Sequence, residues 1–228
     1  MNEIDEDLWL DSDVSINAVF IISQRSVKAP VNKAADNGDI QFANYVLRHY
    51  QEQLLRESEQ EGYKLHMAFV YNQNGTEALD FPDVEHYLSD ESNPNYLNIE
   101  QNKLFCVDHC IENSDAQTSV ATLWFLAMNL LSRQENRCSE NNEQTENRVY
   151  FISNRDATSK DRRAMISSAD RYAALNARVT LVCGYKDSDH QERNNFGEIL
   201  ERFSDSWEAH VCHKTTLPGG NARSWVIE

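Results

Sequence analysis

The sequence has few of the residues that interrupt a chain, with 7 glycines and 4 prolines among 228 residues. That excludes a collagen-like or broadly low-complexity polypeptide. No G-x-G-x-x-G or G-x-x-x-x-G-K-[ST] segment follows an apolar run, which argues against dinucleotide and nucleoside-triphosphate binding, and no cofactor is expected. No apolar run approaches the length of a bilayer crossing, so no membrane contact is expected. Cysteines are few, odd in number at 5 and irregularly spaced, and no cationic and apolar leader precedes them. Free thiols in a reducing compartment are the expectation, hence a cytosolic or nuclear protein. Positive charge is scarce too: 21 Lys and Arg against 37 Asp and Glu leave a net charge of −16. Such a surface repels phosphate backbones, and direct nucleic-acid binding by the isolated chain is not expected. The densest basic stretch, Lys160-Asp161-Arg162-Arg163, is itself interrupted by an acid.

What is present is an alternation of short apolar runs with amphipathic stretches. Ile16 to Ile22 is β-branched and nearly all apolar, as a strand covered on both faces should be. After an Asn37-Gly38 turn signal, Ile40, Ala43, Val46, Leu47, Tyr50 and Leu54 recur at helical spacing, with Asp39 as N-cap. Further strands are expected at Leu65 to Tyr71, Val84 to Leu88, Val149 to Ser153, Val179 to Cys183 and Ala209 to Cys212. Helical stripes run through Val120, Leu123, Trp124, Ala127, Leu130 and Leu131, through Met165 to Ala173, and through Phe196 to Phe203. Trp124 sits at core spacing and is assigned to packing, while Phe125 is left open. The alternation predicts an α/β fold, a doubly wound and mostly parallel sheet flanked by helices. Residues 1–15 are read as an acidic N-terminal arm, 16–213 as one domain, 133–147 as a flexible surface loop because it holds hardly any apolar side chain, and 214–228 as a C-terminal tail.

In such folds ligands meet the carboxyl ends of the strands, so the loops after Ile22, Ile152 and Cys183 are the expected working surface. The first strand leads into Ser23-Gln24-Arg25-Ser26-Val27 and a later one into Ser153-Asn154-Arg155. This layout resembles the von Willebrand factor A family, a Rossmann-like fold in which the first strand ends in D-x-S-x-S and a distant threonine and aspartate complete a magnesium site. By that resemblance Ser23 stands at the aspartate position, Arg25 and Val27 replace the two serines, Asn154 replaces the second aspartate, and Thr118 is the candidate loop threonine. A hard cation needs anionic oxygens, so no functional metal site is expected there.

Within that family the chain is most similar to the amino-terminal domain of the smaller subunit of the Ku DNA-end-binding heterodimer. The resemblance rests on Met67 to Tyr71 leading to Asp80-Phe81-Pro82-Asp83-Val84, on Leu123 to Ser132, and on Tyr150 to Asp156. It implies a non-catalytic protein-interaction domain of a nuclear complex in DNA-end repair or telomere maintenance, with a Ku-like or other A-type subunit as partner. Two alternatives stand beside it: a scaffold repurposed for another nuclear complex, transcriptional or small-RNA related, and a metal-independent α/β hydrolytic enzyme. Ku subunits continue into a ring that encircles DNA, and this chain is expected to lack it. Lyase chemistry on a lysine near the start of the Ku domain is not carried over, since no lysine precedes Lys28.

Other chemistry is weakly signalled. Cys106 to Cys110 with His109, and Cys212-His213, have the wrong spacing for a zinc finger, and buried free cysteines are common. Ser23 and Ser153 have no neighbouring histidine and no G-x-S-x-G elbow. Arg25 and Arg155 are candidate partner-binding cations at the strand ends, and Trp207 and Trp225 are candidate anchors of a docking strip in the tail.

Overall fold

The computed structural model of the chain describes residues 14–23, 37–72, 76–79, 104–105, 120–153, 159–184, 207–216 and 223–227. They form strands β1 (Val14–Ser23), β2 (Lys64–Asn72), β3 (Thr76–Leu79), β4 (Gln144–Ser153), β5 (Ala177–Gly184), β6 (Trp207–Thr216) and β7 (Arg223–Ile227). The helices are α1 (Asn37–Glu61), α2 (Val120–Glu140) and α3 (Ser159–Ala174). One sheet holds all seven strands in the order β3-β2-β1-β4-β5-β6-β7. The five central strands run parallel, and β3 and β7 close the edges antiparallel. The α/β architecture read from the sequence is therefore present.

Strand pleating sorts the side chains between two apolar layers. Ile16, Ala18, Phe20 and Ile22 of β1 join Phe69, Tyr150 and Val182 beneath α1, whose Phe42, Ala43, Val46, Leu47, Tyr50 and Leu54 are buried against them. Val19 and Ile21 turn to the other face, with Val70, Phe151 and Leu181, and are covered by α2 and α3. A run that is apolar at nearly every position is what a strand needs when both faces are roofed. Trp124 is fully buried there, edge-on to Phe151 with ring centroids 5.8 Å apart, and its carbonyl accepts the Tyr172 hydroxyl at 2.7 Å. Phe125, the next residue, is 37% exposed.

Each described helix stops by the same device. Gly62, Asn142 and Asn176 take left-handed φ values of 71°, 58° and 48° just past the ends of α1, α2 and α3. Glycine and asparagine tolerate that conformation best, and it turns the chain straight into the next strand. The helix-to-strand connections are consequently 62–63, 141–143 and 175–176.

Several expectations change. The segment 133–147 is not a flexible loop: α2 continues to Glu140, the chain turns over 141–143, and β4 begins at Gln144. Its stability comes from polar burial, which an apolar count misses. Gln134, Cys138 and Asn147 are all buried, and Asn147 donates to Glu135 Oε2 at 2.7 Å and to the Leu175 carbonyl at 2.8 Å. Strand β1 starts at Val14, inside the expected arm, and α1 starts at Asn37, so Asp39 lies within the helix rather than capping it. Strand β6 extends past residue 213, and the supposed irregular tail contributes β7. The expected strand at Val84 to Leu88, the helix at Phe196 to Phe203 and residues 1–13 of the arm lie outside the described residues.

Candidate functional site

The carboxyl ends of β1 and β4 form the point where the strand order reverses, because β2 leaves β1 on one side and β4 on the other. Crevices at such points are where doubly wound sheets hold ligands. The parallel register sets Ser23 beside Ser153 as the last pair of this ladder, and Ser153 is buried. Two of the strand-end residues singled out in the sequence are thus brought together. Arg25, Val27, Thr118, Asn154 and Arg155 lie outside the described residues.

The tryptophans lie on strands and not in an irregular tail. Trp207 opens β6 opposite Val179, while Trp225 lies in β7 opposite Lys214. Seven residues of strand separate those levels, roughly 23 Å at the usual rise. Both are strand residues, and sequence reasoning missed β7 because Arg223 to Ile227 is short and follows a Pro-Gly-Gly stretch.

A second constellation lies at the amino end of the sheet. His66 of β2 pairs in register with Asn17 of β1, which pairs in register with Asn147 of β4. The row continues polar: Asn17 donates from Nδ2 to Asn147 Oδ1 at 3.0 Å, and both are fully or almost fully buried. Above it the last turns of α2 bring Gln134 and Cys138, with Gln134 Nε2 3.6 Å from the thiol sulfur. Glu143 follows because its backbone N–H donates to the Cys138 carbonyl at 3.0 Å. Its carboxylate accepts from Ser15 Oγ and from Lys64 Nζ, each at 2.8 Å.

Ligand atoms of His66, Cys138 and Glu143 all lie within 4.8 Å of one another. The Lys64 ammonium, through its hydrogen bond, holds the Glu143 carboxyl below its usual range. Burial, then the adjacent Glu143 carboxylate, pushes the Cys138 thiol up. These residues stand at 66, 138 and 143 on separate elements, so no local spacing motif announced them.

A third polar cluster is structural. Arg148 of β4 makes a bidentate pair with Glu57 of α1, at 2.7 and 2.5 Å, and also donates to Glu146 Oε1 at 3.0 Å. The guanidinium fork fits both carboxylate oxygens and pins α1 to the sheet. Its hydrogen bonds draw the Glu57 carboxyl below the ordinary range. Among the described residues no helix is long and apolar enough to cross a membrane. The chain matches no protein-family model, and a search of curated proteins finds no significant match.

Proposed function

We propose that the chain is a non-catalytic protein-interaction module of the von Willebrand A type. It would work in a nuclear assembly for DNA-end repair or telomere maintenance, with a Ku-like or other A-type subunit as partner. The fold is compatible with this reading: parallel strands ordered β2-β1-β4-β5-β6 carry an antiparallel β3 at one edge and helices on both faces.

The single observation that carries the reading is the pairing of Ser23 with Ser153 at the strand-order reversal. This is where an A-type domain begins its acidic magnesium site, and here both strands end in a hydroxyl residue, followed in sequence by Arg25 and by Asn154-Arg155. Neutral and cationic groups suit a carboxylate-bearing protein surface better than a hard cation. The assignment to a DNA-end or telomere assembly rests on the Ku resemblance of the sequence.

The test is affinity purification of the full chain from nuclease-treated nuclear extract, beside an Arg25→Glu and Arg155→Glu double variant. The expected result is a stoichiometric partner containing an A-type domain, reduced about tenfold or more in the variant, as loss of close charge pairs at an interface would give. Transcriptional or small-RNA partners would move the module to a different nuclear complex. Recovery of metabolic enzymes alone would overturn the nuclear reading.

A further inference from the structure

We propose that His66, Cys138 and Glu143 form a zinc site at the amino end of the sheet. The site is independent of the strand-end surface. Asn17, beside His66, is six residues from Ser23 along β1, roughly 20 Å away at the usual rise.

The donor set is the first argument. One thiolate, one imidazole and one carboxylate are the ligand types that zinc combines, and mixed sulfur, nitrogen and oxygen sites disfavour magnesium and calcium. Tetrahedral zinc with bonds of about 2.0 to 2.3 Å holds its ligand atoms about 3.5 Å apart. The three donor atoms already lie within 4.8 Å of one another, so side-chain rotation of about an ångström closes the site. A fourth position stays open for water or a partner's side chain.

The surroundings are the second argument, because the groups around the donors are placed as supports for metal ligands. Gln134 Nε2 approaches the Cys138 sulfur at 3.6 Å, an N–H directed at the atom that must carry negative charge. Ser15 and Lys64 fix the Glu143 carboxylate through one bond to each oxygen, and a carboxylate has lone pairs left for a cation. The turn at Asn142 ties Glu143 to Cys138 through the backbone.

Charge balance favours occupancy. When zinc enters, the Cys138 thiol releases its proton to solvent and a zinc–sulfur bond forms, with no change of oxidation state. Zinc, thiolate, carboxylate and neutral imidazole then sum to zero, the condition under which a partly buried ion set is least costly. The metal would tie β2, the end of α2 and the turn into β4 together.

The test uses the reduced full chain, stripped with chelator and titrated with zinc, then with cobalt as a spectroscopic substitute. The expected result is one equivalent of metal per chain, a near-ultraviolet sulfur-to-cobalt band, and a melting temperature that rises with zinc, since a ligand bound only by the folded state stabilises it. Cys138→Ser removes the band, and His66→Gln and Glu143→Gln each weaken zinc about tenfold or more. If Cys138→Ser fails to fold, His66→Gln, at a half-buried position, carries the same test. Absence of stoichiometric binding to the wild-type chain overturns the proposal. So does binding that is undiminished in these variants, because the metal would then sit on other cysteines and histidines.

Discussion

Asn17 in β1 and Asn147 in β4 face each other in register and share a 3.0 Å side-chain hydrogen bond in a part of the sheet sealed from solvent. A buried amide costs free energy unless its bonds are made. Here they are made, through Glu135 and the Leu175 carbonyl as well.

Truncating Asn147 takes from the buried Asn17 Nδ2 its 3.0 Å acceptor and from the Leu175 carbonyl a donor. Asn147→Ala is expected to lower stability by about 2 to 3 kcal/mol, more than a surface substitution and comparable to a lost core side chain. Urea denaturation measures it, and a loss within about 0.5 kcal/mol, the surface-substitution range, would mean that water replaces the network.

Replacing residues 133–147 with a short Gly-Ser linker removes the end of α2, its turn and the first residues of β4. It also deletes Gln134, Cys138 and Asn147 from the interior. Total stabilities of domains are about 5 to 15 kcal/mol, and the replacement is expected to consume most of this. Circular dichroism should show a largely unfolded chain at room temperature. A cooperative melt close to that of the wild type would restore the loop reading.

The extent to which this fold could be read in advance follows from which force sets each element. Ile16 to Ile22 and the α1 stripe Ala43, Val46, Leu47, Tyr50 and Leu54 are held by apolar burial, which has a period, and both were legible. Trp124 was legible as core for the same reason. The span 133–147 was not legible because Asn147 is buried through hydrogen bonds to Glu135 and the Leu175 carbonyl, and a bond to a partner on another element leaves no trace in local periodicity. The helix ends at Asn142 and Asn176 carry a sequence signal, an asparagine at the stop. Of the candidate sites, the strand-end pair Ser23 and Ser153 was visible because the topology fixes where strands end. His66, Cys138 and Glu143 meet only once the chain is folded.

The pair of Glu57 with Arg148 makes stability acid-sensitive in a defined direction. Glu57 titrates lower when folded than when unfolded, so its contribution is complete above the ordinary glutamate value of about 4.3 and is lost as the pH falls through the folded value. Glu57→Gln should therefore lower the melting temperature at neutral pH and differ less from the wild type as the solution is acidified. A difference that is constant or grows toward acid would assign the effect to packing instead.

Duplex DNA should not bind the isolated chain at physiological salt. Affinity for a phosphate backbone comes from lysine and arginine displacing counterions, and the chain carries −16 net charge. On α3, Arg162 is partly covered and Arg163 is exposed, with Asp161 buried between Lys160 and Arg162. Fluorescence anisotropy at two salt concentrations checks this. Salt-sensitive micromolar binding, abolished by Arg162→Glu with Arg163→Glu, would contradict it.

The carboxyl ends of β1 and β4 are the proposed surface that grips a protein partner. Photo-crosslinking tests it most directly, with a benzophenone amino acid placed singly at Arg25 or Arg155 and, as controls, at the exposed Arg48 of α1 or Arg163 of α3, in nuclease-treated nuclear extract. The expected result is one discrete protein adduct shared by positions 25 and 155 and absent from both controls. Adducts formed equally at all four positions, or at the helix positions alone, would contradict it.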